Sequence, residues 1–451
     1  MAETAPIPDV PARGPGDLGR LREGRVWRAV RAGGARVRLN LEDPVRMLPV
    51  ILIVAFVVRA IWLDLPGRSL IFDEAYYVNA ARVLLGWPVP AGAHYAGSPA
   101  GLDPNTEHPP LGKLLMAASM LLLGDNGFGW RLPSLMAGMI ALVATWAIAR
   151  TSGATARLSV LVVTLLAFDN LTFVHGRIGT LDMMVLAAIL VGSWLALKRR
   201  WALAGLAMAV GILIKLTAIY GVVAVLLLYL MLEGVRWWRA RLIPLADLRG
   251  PVVFVVVFLV AGLAGLWALD QRFTTFATPL DHLRRMVEYG ANLGAPKAQV
   301  GFCPGADSRP WQWPFNECQI QYLRVDVTVR AGDKVISSTP KIDFRGAINP
   351  LLTGTIVLAG LFTLWFAWRR QHRLALWAVA WAAANYLPYI ALGLFTNRIM
   401  YIYYFLPALP AVAAAVALLL ARSGLPRFVL WGFLIAYFAG FVAYFPFRQI
   451  P

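Results

Sequence analysis

The chain has 451 residues, of which 59% are hydrophobic and 15% charged, and it carries a formal charge of +18. That balance excludes a water-soluble domain of this length and predicts an all-α polytopic membrane protein. Lys and Arg fall in the gaps between apolar runs, which assigns the excess charge to membrane topology rather than to nucleic acid.

Residues 1–43 are rich in Pro, Gly, Ala and Arg and contain no apolar run or signal-peptide pattern, so they read as a disordered cytoplasmic tail. Apolar spans follow near 47–64, 131–149, 157–173, 178–197, 250–269, 350–368, 374–395, 400–421 and 427–447. Two stretches are ambiguous: 111–123 is short for a span, and 201–232 is long for one. Basic clusters at 13–46, Arg150 and Arg157, Lys198 to Arg200, Arg236 to Arg249, Arg369 to Arg373, and Arg422 and Arg427 all fall inside only under two conditions. Residues 111–123 must lie on the outer surface, and 201–232 must cross twice with a turn near Lys215. The count then comes to about 11 helices. The organisation expected is a membrane core over 44–269 with a first outer loop at 65–130, a second outer loop at 270–348, and carboxyl-terminal helices over 349–451.

In the second outer loop, alternating residues from Gln319 to Val329, then Ala331-Gly332-Asp333, then Val335 to Ile342 predict a β-hairpin. Cys303 and Cys318 lie in the same loop and can pair in an oxidising compartment.

The polar residues that topology leaves unexplained are the informative ones. Phe72-Asp73-Glu74 and Glu107-His108-Pro109-Pro110-Leu111-Gly112-Lys113 place carboxylates and a proline-stiffened basic turn beside the membrane. Arg131, Arg177, Lys215 and Arg398 stand at outer helix ends, on the same side as Asp169 and Asp182. Together they could hold a phosphate and activate a hydroxyl. Each also has a bland reading: Arg177 and Asp182 as a neutralising pair, Lys215 and Arg398 as headgroup contacts, Trp311 and Trp313 as an aromatic belt.

The separated strings together resemble the protein O-mannosyltransferases, lipid-carrier-dependent glycosyltransferases of the GT-C class. Phe72-Asp73-Glu74 resembles that family's acidic pair, and HPPLGK at 108–113 its signature. Phe168-Asp169-Asn170 through Arg177 to Asp182, Pro310-Trp311-Gln312-Trp313-Pro314, and Asn397-Arg398 with Leu406-Pro407-Ala408 extend the likeness. The second outer loop is too short for the β-trefoil insert of eukaryotic members, which favours the bacterial branch. Ile214-Lys215-Leu216-Thr217 departs from the family's usual basic turn.

The resemblance implies a GT-C fold and an inverting transfer of mannose from polyprenyl-phosphate-mannose to Ser/Thr hydroxyls of exported polypeptides near the Sec translocon. The site would lie on the extracytoplasmic face of a bacterial plasma membrane. It further implies Asp73 as general base, with Glu74, Trp311 and Trp313 binding the acceptor. His108, Lys113, Arg131, Arg177, Asp182, Lys215 and Arg398 would bind the donor's phosphate and sugar. No metal or cofactor is expected, although Asp73, Glu74 and His108 are chemically able to hold a divalent ion. Competing readings are a GT-C enzyme acting on a glycolipid or cell-wall glycan, and a lipid transporter, which would instead carry broken helices and charges near mid-membrane.

Overall fold

The computed structural model describes residues 44–67, 69–294, 303, 307–331, 334–422, 424 and 426–448. The expected amino-terminal tail and the Gly332-Asp333 turn lie outside the described residues. The chain divides after Pro49, and Val50–Pro451 is the compact body that carries everything below.

The helices in chain order are α1 Pro44–Ala60, α2 Glu74–Leu85, α3 Leu111–Leu123, α4 Gly127–Thr151, α5 Ala156–Ala167, α6 Asn170–His175, α7 Asp182–Leu197 and α8 Trp201–Ile212. After them come α9 Ile219–Ala240, α10 Leu245–Phe273, α11 Pro279–Asn292, α12 Pro350–Arg370, α13 Arg373–Phe395, α14 Leu409–Arg422 and α15 Arg427–Ala443. Strands β1 Ile320–Ala331 and β2 Lys334–Gly346 separate α11 from α12. Among the described residues, six helical stretches are long and apolar enough to cross a membrane: 127–151, 216–240, 245–273, 350–370, 373–395 and 402–422. With five shorter apolar helices beside them, the body is that of a multi-pass membrane protein.

The ambiguous stretches resolve into definite elements. Residues 111–123 form one helix, α3, only ~20 Å long at 1.5 Å per residue. Residues 201–232 break between α8 and α9, where the chain runs through an extended Lys215 into a 3-10 turn at Leu216–Ala218.

Packing follows hydrophobicity. α14 is apolar on every side and buries each residue from Leu409 to Leu419, because it is surrounded by α5, α12 and α13. Its five alanines between 411 and 417 let those neighbours approach closely. α10 and α12 are equally apolar but only 22% buried, so they present Val252, Val256, Val260, Leu358, Leu361 and Trp365 outward, as lipid-facing helices do.

Asp169 is a polar hub inside this packing. Its side chain caps α6 by accepting from Thr172 N at 2.8 Å and also accepts from Asn349 N at 2.9 Å. Asn349 in turn caps α12 through Leu351 N and donates to Tyr437 O at 3.0 Å, tying α15 to the same point. The DN string read at 169–170 is therefore a joint between helices.

The predicted hairpin is present. β1 and β2 pair antiparallel from Ile320↔Gly346 to Ala331↔Lys334, with three register shifts that twist the ribbon. The carboxyl-terminal residues lengthen its base: Asp343 N donates to Pro446 O at 2.8 Å, and Arg448 N to Lys341 O at 2.9 Å.

Replacing Asp169 with Ala would strand the Thr172 and Asn349 amides without acceptors. The expected cost is about 2–4 kcal/mol, read as a lowered Tm in detergent; an unchanged melting curve would remove the hub from the fold's supports.

Candidate active site

The proline-stiffened turn delivers Lys113 inward. From the first turn of α3 its Nζ lies 2.6 Å from Asp103 Oδ2 and 2.8 Å from His108 O, and it also donates to the Asn105 carbonyl. All of this is fully buried, so Lys113 is the internal counter-ion of loop 103–108 rather than a ligand for an incoming phosphate. The same loop is fastened from outside by Asp103 N donating to Phe273 O at 2.7 Å. His282 also holds it, with Nε2 3.1 Å from Thr106 O and Nδ1 2.7 Å from Asp270 Oδ1. His282 and Asp270 gave no signal in the sequence, being a single His and a single Asp on two different helices.

Glu74 and Arg131 form the second fixed pair. Arg131 Nε and Nη2 donate to the two Glu74 oxygens at 2.8 and 2.9 Å, and Glu74 also accepts from Ile71 N and Gly179 N. Arg131 spends its remaining donors on the carbonyls of Leu63, Leu65 and Ser69. Both side chains are buried and saturated. Glu74, expected to hold the acceptor, and Arg131, expected to hold the donor, thus spend their polar atoms on each other and on the backbone. Gly179 permits the approach, since a Cβ there would lie 2.9 Å from Trp130 O.

Arg177 is engaged internally too. It is buried, donates to Ile61 O and Trp62 O at 3.0 and 3.1 Å, and lies 4.9 to 5.6 Å from the rings of Phe447, Phe173 and Phe344. It belongs to an aromatic cage and makes no ion pair with Asp182.

Two further charged groups of residues remain, Lys215 and Asp182 beside Asp73, and Lys215 and Arg398 acting on His108. Although adjacent in sequence, Asp73 and Glu74 diverge: Glu74 turns to Arg131, while Asp73 lies within the fields of Lys215 and Asp182. Among the described residues nothing hydrogen-bonds to the Asp73 carboxylate. Burial pushes it up to about 7, against the pull of Lys215 and with a further push from Asp182. Lys215 Nζ sits 2.8 Å from Asp182 Oδ1, and Asp182 Oδ2 is buried without a partner. Burial and the fields of Lys215, Lys113 and Arg398 hold His108 well below its ordinary value, hence neutral, with its ring 6.0 Å from that of Tyr77. Arg398 approaches from the chain between α13 and α14, its backbone bridged to Gly294, and pairs with no carboxylate among the described residues. No three His, Cys, Asp or Glu side chains converge as a metal-binding group among the described residues.

The tryptophans separate. Trp313 is a core residue, its Nε1 2.8 Å from Ser308 Oγ and its ring against Tyr386, Tyr389 and Tyr404. Trp311 is partly exposed at the rim of an apolar cavity of about 560 Å³ between α12, α13 and α14. They do not form a shared acceptor surface facing Asp73. Cys303 and Cys318 are joined by a disulfide just before β1.

The same arrangement of helices occurs in solved structures. The S. cerevisiae protein O-mannosyltransferase Pmt1-Pmt2 complex bound to the sugar donor superposes with a TM-score of 0.61 at 11% identity, covering 89% of each chain. ArnT from Cupriavidus metallidurans bound to undecaprenyl phosphate gives 0.56 at 21% identity, covering 86% of this chain and 62% of that one. The fold is GT-C.

Within this GT-C core, residues 107–262 match the family model described as dolichyl-phosphate-mannose-protein mannosyltransferase. The polyprenol-phosphate-mannose–protein mannosyltransferase of Mycolicibacterium smegmatis is 32% identical over 116 residues, 26% of this chain and 21% of the relative. That of Corynebacterium glutamicum is 28% identical over 130 residues, 28% of this chain and 24% of the relative. The chain thus matches about a fifth to a quarter of the length of these curated relatives. The matched segment of the GT-C core holds His108, Lys113, Arg131, Arg177, Asp182 and Lys215, and leaves Asp73 and Arg398 outside.

Removing the cation in Arg131→Met leaves Glu74 buried and unpaired, for an expected loss of about 3–5 kcal/mol. Arg398→Ala breaks no ion pair and should stay within about 0.5 kcal/mol of the parent. Parallel melting curves of the two variants check the contrast; equal losses would contradict it.

Proposed function

We propose that the chain is a bacterial protein O-mannosyltransferase, moving mannose from a polyprenyl-phosphate carrier to Ser/Thr hydroxyls of exported polypeptides. The observation that carries this reading is a carboxylate, Asp73, with no hydrogen-bond partner among the described residues, lying in the fields of Lys215 and Asp182, while Lys215 and Arg398 both act on neighbouring His108. Support for the substrate class comes from the family match over residues 107–262 and from the named relatives.

In this mechanism the acceptor hydroxyl oxygen attacks the anomeric carbon of the mannose while the bond from that carbon to the phosphate oxygen breaks, with inversion. Asp73 takes the hydroxyl proton as the bond forms, a contribution of about 10²–10⁴-fold. The leaving phosphate is a weak base and needs no acid. Its developing charge is proposed to be met by Arg398 and Lys215, of which Lys215 is held beforehand by Asp182. The unpartnered Asp182 Oδ2 is placed to accept from a sugar hydroxyl, while its Oδ1 keeps Lys215 oriented. Neutral His108 adds no charge to compete with the two cations. The reaction is proposed to run without a metal, since the diverging carboxylates of Asp73 and Glu74 offer no chelating pair. The site is proposed to open on the extracytoplasmic side of the plasma membrane, where polypeptides leave the Sec translocon; the positive-inside pattern supports that orientation.

Membranes carrying the protein, radiolabelled polyprenyl-phosphate-mannose and a Ser/Thr-rich peptide test the reading. Label should enter the peptide, persist in EDTA and fall at least about 10³-fold in Asp73→Asn. Label entering lipid or glycan instead would assign a different acceptor. Because the base must be ionised, kcat/KM should rise with pH through an apparent pKa near 7 and level off above it; a profile flat from pH 5 to 8 would remove Asp73 from that role.

A further inference from the structure

Phe72, immediately before Asp73, has a left-handed backbone with φ +55°. A bulky side chain there is strained and persists only where its surroundings over-determine it. The surroundings are aromatic: the Phe72 ring lies 4.5 Å from that of Tyr322 and edge-on to Tyr403 at 5.4 Å. Tyr322 comes from β1, and its hydroxyl is 2.8 Å from Nε2 of buried His175, whose Nδ1 is 3.2 Å from Thr180 Oγ1. The opposite strand makes room, because a Cβ on Gly346 would lie 2.5 Å from that same hydroxyl. The left-handed turn at Phe72 is also where the chain sends Asp73 toward Lys215 and Glu74 toward Arg131.

We infer that Tyr322 is a positioning residue for Asp73: its ring pins Phe72 in the left-handed conformation, and its hydrogen bond to His175 fixes the ring. The inference rests on Asp73 being the base proposed above. It gives the hairpin a task at the reacting centre, as the element that seals one side of the Asp73 carboxylate from water. Burial pushes His175 down to about 4 and Tyr322 well above its ordinary value, so the imidazole is neutral and the phenol protonated across the working range. The contact therefore stays intact while Asp73 titrates.

The test uses the full-length protein in lipid nanodiscs as parent, Tyr322→Phe, Tyr322→Ala and His175→Gln, with Asp73→Asn as the infrared reference. The difference spectrum against Asp73→Asn titrates the Asp73 carboxyl without any substrate. Its midpoint should lie near 7 in the parent and fall by at least about one unit in Tyr322→Ala, as water reaches the carboxylate. In the transfer assay Tyr322→Ala should lose about 10–100-fold in kcat with donor KM within about twofold. Tyr322→Phe and His175→Gln, which keep the ring on Phe72, should keep the midpoint and lose about 3–10-fold. A parent midpoint retained in Tyr322→Ala overturns the inference. If that variant does not fold, unchanged kcat in both conservative variants overturns it. Should the infrared shift occur while the parent labels no peptide, the acceptor assignment fails and the positioning role stands.

Discussion

The buried Glu74–Arg131 pair is the contact on which the site depends. One carboxylate collects two guanidinium bonds and two backbone amides, from Ile71 and Gly179, while the guanidinium collects three carbonyls from residues 63–69. Two charges taken out of water are tolerable only when every donor and acceptor is used, and here they are. That saturation joins the first loop to α4 and to the segment before α7. It also frees the neighbouring carboxylate, because Asp73 is left with no partner competing for it.

Lys113 with Asp103, and Lys215 with Asp182, repeat the theme with different outcomes. The first pair is closed and holds a loop. The second leaves one Asp182 oxygen unpartnered and Lys215 beside Asp73, so it remains chemically available. Arg398 stands at the far end of this gradation, a cation that pairs with no carboxylate among the described residues. The strings of charged residues therefore mix groups closed on internal partners with groups left open, and only the partners tell them apart.

Sequence reading gave the helical membrane class, the hairpin, the break at Lys215 and the separate short helix at 111–123, because hydrophobic runs, alternation and charge position are local signals. It also singled out Asp73, Lys215 and Arg398 as charged groups that topology leaves unexplained. It did not show that Glu74, Lys113, Arg131 and Arg177 take internal partners or that the two tryptophans separate, since a charged residue at a helix end looks the same whether it points into a pocket or into a net of carbonyls. Tyr322, His175 and His282 escaped notice because their partners lie far along the chain. No spacing rule links residue 72 to residue 322.

The Arg177 cage has a consequence for the order of events in synthesis. Its guanidinium binds carbonyls just after α1 and the ring of Phe447, while Trp62 and Phe447 pack at 5.2 Å, so the beginning and the end of the body close on one side chain. The loop carrying Asp73 emerges early, yet the hairpin and the segment around Phe447 that complete its surroundings follow much later in the chain. Contacts of such sequence separation form late, and a chain interrupted before them exposes its unsatisfied parts. A nascent chain would thus hold its first loop incompletely packed until the residues around Phe447 had emerged.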